Sequence, residues 1–334
     1  MSQINYAVVT QGLTKRYKTA LAVDNINLSV PAGCCCGFLG KNGAGKTTTI
    51  KMLVGLNRPT GGQISIMGEA QTYGKQGTQS FGYLPDVPNF YGYMTGAEFL
   101  DLCGKLCKIP TTERKERVKS LLKQVGLDKT RTRIAGYSRG MKQRLGIAQA
   151  MINSPPVIFM DEPISALDPI GRKDVAEIIQ GLKGSPAGGE MSRSGRQSPT
   201  TVILSTHILA DVEHICDYVL IIEKGKILAQ DYLVNLKQKH ASNTAKIRFF
   251  QESDALEFSQ KAAGIGLGFE NVNPVELLLR GSADSNELSR AAVGLIHNHG
   301  LAFESLGAHA PTLEDIFYEL VDSATKAKGG TRNE

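Results

Sequence analysis

Apolar positions along this 334-residue chain alternate between two textures. Short β-like runs, INYAVVT and NINLSV, occupy residues 4–30, and CCCGFL at 34–39 is continuously apolar, as expected of a strand buried on both faces. A glycine-rich turn follows, and then a helical pattern over 46–55, KTTTIKMLVG. Residues 96–125 are helical in period, with GAEFLDLCGKLCKI and RKERVKSLLKQVGL as two amphipathic segments. A further helix is expected from about Met141 to Ile152, feeding the apolar strand PVIFMDEP, a helix over 170–183 and the strand TVILSTH. Strands alternating with helices predict an α/β domain built on a largely parallel sheet.

The texture changes twice more. KGSPAGGEMSRSGRQSPT is dominated by Gly, Ser, Pro and Arg, and reads as a flexible surface insertion over about 183–199. After about Lys239, AKIRFF, ESDALEFSQKAAG, VELLLRG, SNELSRAAVGLIHNHG and LAFESLG suggest a small β-α-β-β-α-β unit in which one strand is poorly marked. PTLEDIFYELV then opens on a proline with acids in the first turn, as helix starts do, and TKAKGGTRNE is expected to be disordered. The expected organisation is therefore a large domain over 1–235, its helical part at about 87–152, a small α+β domain over 243–322, and a disordered tail over 323–334.

Composition narrows the possibilities. With 38 Lys and Arg against 32 Asp and Glu, the net charge of +6 reads as a solvated surface, and no nucleic-acid partner is expected. No run approaches the about 20 apolar residues that a membrane helix needs, and the first residues lack a signal pattern, which predicts a cytosolic protein whose membrane role would come through a partner. The cysteines lack the paired C-x-x-C spacing of a zinc site and read as reduced packing residues.

The chemistry lies in four stretches. GKNGAGKT, Gly40 to Thr47, follows an apolar strand and opens a helix, which is the context the phosphate-loop motif requires. Its glycines let backbone N–H groups turn inward, the helix N-terminus adds partial positive charge, Lys46 can reach β- and γ-phosphates, and the Thr47 hydroxyl can ligate Mg²⁺. VIFMDEP ends a strand in two acids: Asp161 suits Mg²⁺, and Glu162 suits a base or orienter for attacking water. ILSTH puts His207 at another strand end, where a histidine either packs or contacts a γ-phosphate. In YSRGMKQR, Ser138 and Gly140 stand at a helix start, where a hydroxyl and free N–H groups can meet an anion.

In this order, GKNGAGKTT, YSRGMKQRLGIAQAM, VIFMDEPISALD and ILSTH resemble the nucleotide-binding subunit of an ABC transporter over about residues 5–235. The likeness is nearest to single-cassette subunits paired with multispan permeases of the ABC-2 type, and PTLEDIFYEL is similar to their C-terminal segment. The resemblance implies a P-loop NTPase ABC cassette with a RecA-like core and helical subdomain, followed by the small α+β domain. It implies ATP held by Gly40, Asn42, Gly43, Ala44, Gly45, Lys46, Thr47 and Thr48, with Tyr17 stacking on adenine. It implies Mg²⁺ at Thr47, Asp161 and Asp86, with Glu162 as catalytic glutamate and His207 as switch histidine. Ser138, Gly140 and Asp168 would serve across a subunit boundary. One chain has one phosphate loop and one signature, so a second cassette is expected, identical or different.

Residues 85–100 would dock the permease, with Phe90, Tyr91 and Tyr93 either anchoring it or covering the helical core. The implied place is the cytoplasmic face of a membrane, and the implied direction is export. Three departures stand out. Asp86 replaces a customary glutamine, the signature carries Tyr137, Arg139 and Met141, and Ile164 follows DEP. Competing classes are a soluble ATPase acting on ribosomes or DNA, and a non-catalytic cassette. The first usually has paired cassettes or long coiled coils, and the second would not retain Asp161, Glu162 and His207. The small C-terminal domain is read as a dimer brace or a regulator.

Overall fold

The computed structural model of the protein describes residues 5–71, 81–165, 167–182, 200–240, 244–280, 285–308 and 311–329. It comprises two compact units, Met1–Leu233 with Leu320–Glu334, and Val234–Glu319. The insertion expected at 183–199 lies outside the described residues.

The first unit opens with β1 (Tyr6–Tyr17), β2 (Ala20–Ile26), β3 (Ser29–Pro31), β4 (Cys35–Leu39) and α1 (Lys46–Leu53). It continues through β5 (Gly61–Ile66), β6 (Glu69–Ala70), β7 (Phe81–Leu84), α2 (Gly96–Leu106), α3 (Thr111–Gln124) and α4 (Arg139–Met151). β8 (Val157–Asp161), α5 (Pro169–Leu182), β9 (Thr201–Thr206), α6 (Leu209–Ile215), β10 (Tyr218–Glu223) and β11 (Lys226–Tyr232) follow.

Two sheets organise it. An antiparallel sheet runs β2-β1-β5-β6, with β3 also on β1. The other runs β11-β10-β4-β9-β8-β7, parallel throughout except for its edge strand β11. Every residue of β4, β8 and β9 is buried, which explains why these strands read as unbroken apolar runs. Their C-terminal ends, at Leu39, Asp161 and Thr206, are adjacent in the ladder, with Leu39 opposite Thr206 and Asp161 opposite Ser205. Ligand sites in such sheets lie beyond those ends.

The helical segment is fixed by local chemistry. Thr95 and Glu98 form a capping box at the start of α2, and Ser138 caps α4 by accepting from the Met141 N–H at 3.2 Å. The cap places the start of α4 at Arg139, two residues earlier than periodicity alone suggested. Arg114 and Arg117 of α3 are buried and satisfied, by Asp101 at 2.6 Å, the Ile109 carbonyl, the Ile152 carbonyl and Glu113.

From Val234 on, the second unit takes in α7 (Leu233–Lys239), β12 (Thr244–Phe249), α8 (Glu252–Gly264), β13 (Gly268–Asn273), β14 (Glu276–Arg280), α9 (Ser285–His299), β15 (Phe303–Ala308) and α10 (Leu313–Gly329) as far as Glu319, the rest of α10 being grouped with the first unit. The antiparallel sheet has the order β13-β14-β12-β15. Phe249, Phe258, Leu277, Leu279 and Leu288 form its core. β13 is the poorly marked strand: four of its last residues, Glu270 to Asn273, are exposed, so no apolar alternation announces it. α10 continues to Gly329, so 323–329 is helix and not disordered tail; the terminal residues 330–334 lie outside the described residues. Among the described residues no helix is long and apolar enough to cross a membrane.

Candidate functional site: a nucleotide cavity at the strand ends

The loop from β4 to α1 bends tightly around its own backbone. Gly43 and Gly45 have φ of +82° and +113°, a region side chains avoid, and a β-carbon on Gly45 would stand 2.7 Å from the Ala22 carbonyl oxygen. Lys46, at 6% exposure, donates from Nζ to the Gly40 carbonyl at 2.6 Å and the Lys41 carbonyl at 3.3 Å. Burial pulls its pKa below the ordinary lysine value, while Glu162 and Asp161 push it back up. The ammonium thus stands inside the ring of the loop, beside the helix N-terminus, where an anion is favoured.

The two acids divide their work. Asp161, the buried last residue of β8, accepts from the Thr47 hydroxyl at 3.1 Å and from the Ser205 hydroxyl at 2.6 Å. Glu162 has φ of +48°, unusual for a residue with a side chain, and this backbone turn aims it away from the strand. Its N–H donates to the Ser205 hydroxyl at 3.0 Å, and the Ser205 carbonyl lies 3.2 Å from the same nitrogen. Its carboxylate accepts from His207 Nδ1 at 3.0 Å and lies 3.6 Å from Lys46 Nζ. An ionised carboxylate only accepts, so in this pair Nδ1 is the donor. Ser205 was not anticipated. It is the second-last residue of β9, opposite Asp161 in the ladder, and that pairing, which the sequence does not show, is what brings it to the acids.

A cavity of about 480 Å³ gathers these groups: Asn42, Gly43, Gly45, Lys46, Thr47 and Thr48 on one side, and Glu162, Ser165, His207, Asp86 and Arg139 on the others, with Ala22 at its margin. Partial burial raises the Asp86 pKa, as do the charges of Asp161 and Glu162, while Arg139 lowers it. Gly40, Ala44 and Asp161 are not among its lining residues; the Gly40 carbonyl accepts from Lys46, and Asp161 accepts from Thr47. Tyr17 lies apart from it, at the end of β1, 44% exposed, with its hydroxyl accepting from Asn57 Nδ2 at 2.9 Å and Lys15 Nζ 4.9 Å from its ring centre. Ser138, Gly140 and Asp168 also lie outside it; Ser138 and Asp168 are exposed, and a β-carbon on Gly140 would meet nothing within 4 Å.

The aromatic segment before α2 splits in two. Phe90 packs edge-on against buried Phe99 at 5.1 Å, covering the helical core. Val87, Tyr91 and Tyr93 are 64%, 53% and 66% exposed.

The comparisons with known proteins agree with this geometry. The family model described as ABC transporter matches residues 23–165. An uncharacterized ABC transporter ATP-binding protein of Bacillus subtilis, YxlF, is 41% identical over 234 residues, covering 70% of this chain and 73% of that protein. The daunorubicin/doxorubicin resistance ATP-binding protein DrrA of Streptomyces peucetius is 30% identical over 322 residues, 96% of this chain and 93% of its own. The solved structure of an ATP-binding subunit of an ABC transporter superposes with a TM-score of 0.58 at 30% identity, over 70% of this chain and 92% of that one. A phosphate loop, an acid pair and a histidine around one cavity, in relatives of this kind, leave one assignment: the chain belongs to the ATP-binding subunits of ABC transporters, a family of ATP-hydrolysing cassettes.

Proposed function

We propose that two cassettes close on ATP at this cavity, hydrolyse it, and so drive a separate multispan permease on the cytoplasmic face of a membrane, in the direction of export. The observation that carries the reading is the series Lys46–Glu162–His207 in the cavity lining, an ion pair at 3.6 Å followed by a hydrogen bond at 3.0 Å. It supplies a cation for the phosphates, a carboxylate to orient water, and an imidazole that reports the γ-phosphate. Charge develops on all sides of a transferring phosphoryl group. Exposed Ser138 and half-buried Gly140, at the start of α4 and outside the cavity of their own chain, supply the missing side for a second copy.

Magnesium fits the donors present. Among the described residues no group of three or more His, Cys, Asp or Glu side chains could hold a metal. Magnesium, however, takes one or two carboxylates and completes its shell with substrate phosphates and water. Asp161 and the Thr47 hydroxyl, 3.1 Å apart, form such a donor pair, with Asp86 across the cavity. Bound there, the ion would neutralise charge between the β- and γ-phosphates.

The exposed ring of Tyr17 suits stacking on adenine. Val87, Tyr91 and Tyr93 suit anchoring of a permease helix. The export direction rests on the resistance protein among the relatives. Glu162→Gln tests the core of the reading: it should bind ATP with near-unchanged affinity, hydrolyse it about 10²- to 10⁴-fold more slowly, and accumulate as a dimer with MgATP. Phosphate release at the parent rate from this variant would sink the assignment of Glu162.

A further inference from the structure

Arg139 presents an electrostatic problem. As the first residue of α4 it places a cation at a helix N-terminus, where the backbone dipole opposes positive charge. Its compensation lies in the cavity of its own chain. Arg139 lines that cavity together with Asp86, Lys46 and Glu162. Asp86, in the loop after β7, and Glu162 are the acids of that lining, and Arg139 joins Lys46 as its second cation. Without Arg139, the two carboxylates of the lining, Asp86 and Glu162, would face incoming phosphates with Lys46 as the remaining cation of that lining.

We propose that Arg139 serves the nucleotide cavity of its own chain, offsetting the charge of Asp86 so that phosphates can enter a cavity lined by acids. Arg139 is thus a positioning and affinity residue acting in cis, distinct from its neighbours Ser138 and Gly140, which face a second copy. The proposal rests on the nucleotide-cavity reading above, and the two departures in the sequence, Asp86 and Arg139, become one compensated pair.

The test is a double-mutant cycle on the whole chain, with MgADP as the probe. Binding is measured by calorimetry at concentrations where sedimentation shows a monomer, so that contacts from a second copy are absent. Arg139→Gln should weaken MgADP about three- to fivefold, the range expected of an exposed charge pair. In an Asp86→Asn background the same change should cost less than about twofold, and Arg139→Lys should retain parent affinity. Both side chains are exposed, and unchanged melting temperatures would establish that each variant is folded. An equal loss at Arg139 in both backgrounds, or no loss in either, would overturn the pairing while leaving the nucleotide reading intact. A parent chain that does not bind MgADP at all would overturn both.

Discussion

Ser205 joins the two acids of the cavity, and it does so with one hydroxyl. Oγ donates to Asp161 and accepts from the Glu162 N–H, so the carboxylate beside Thr47 and the strained turn at Glu162 are held by the same buried atom. Partners that orient metal-holding carboxylates matter nearly as much as the carboxylates themselves. Ser205→Ala should leave the fold intact while lowering magnesium-dependent ATP hydrolysis about 10- to 100-fold, read as a rise in the magnesium concentration for half-maximal rate. A variant with the parent's magnesium dependence would show that Thr47 alone fixes Asp161. The residues with chemistry of their own, Lys46, Asp161, Glu162 and His207, were legible in the sequence because each ends a strand or opens a helix in a recognisable string. Ser205 and the cis placement of Arg139 were not, since both act through neighbours brought together only by the ladder and by the packing of α4.

At the scale of elements, periodicity located the long amphipathic helices and the fully buried strands, but not the elements whose identity depends on pairing. β13 is mostly exposed and is a strand because β14 runs beside it. The hairpin of β10 and β11 also went unread. β10 is nearly all buried beside β4, whereas β11 is a mostly half-exposed edge with no strong apolar signal. The seat of α4 depends on a feature with no periodicity at all. Gly82 of β7 lies against the α4 backbone so closely that a β-carbon would overlap the Ala150 carbonyl oxygen. Backbone cannot yield as a flexible side chain does. Gly82→Val should therefore cost about 1–3 kcal/mol of stability, measured by urea denaturation of the first unit's transition, and should displace the helix that carries Ser138 and Arg139. Unchanged stability would mean that α4 and β7 can separate at little cost.

The whole molecule explains why a chain with one phosphate loop also carries a signature stretch. The cavity of one chain gathers the loop, Glu162, the histidine and Arg139, while exposed Ser138 and half-buried Gly140 stand outside it. On the reading proposed above, a complete site draws its last donors from a second cassette. Mixing two inactive chains tests this directly. Lys46→Ala spoils the phosphate loop and keeps the signature, and Ser138→Arg does the reverse. Mixed dimers of the two contain one site with both halves intact, so an equimolar mixture should recover about one quarter of the parent ATPase rate, although each variant alone is nearly inactive. A mixture no more active than its separate components would contradict the two-chain site.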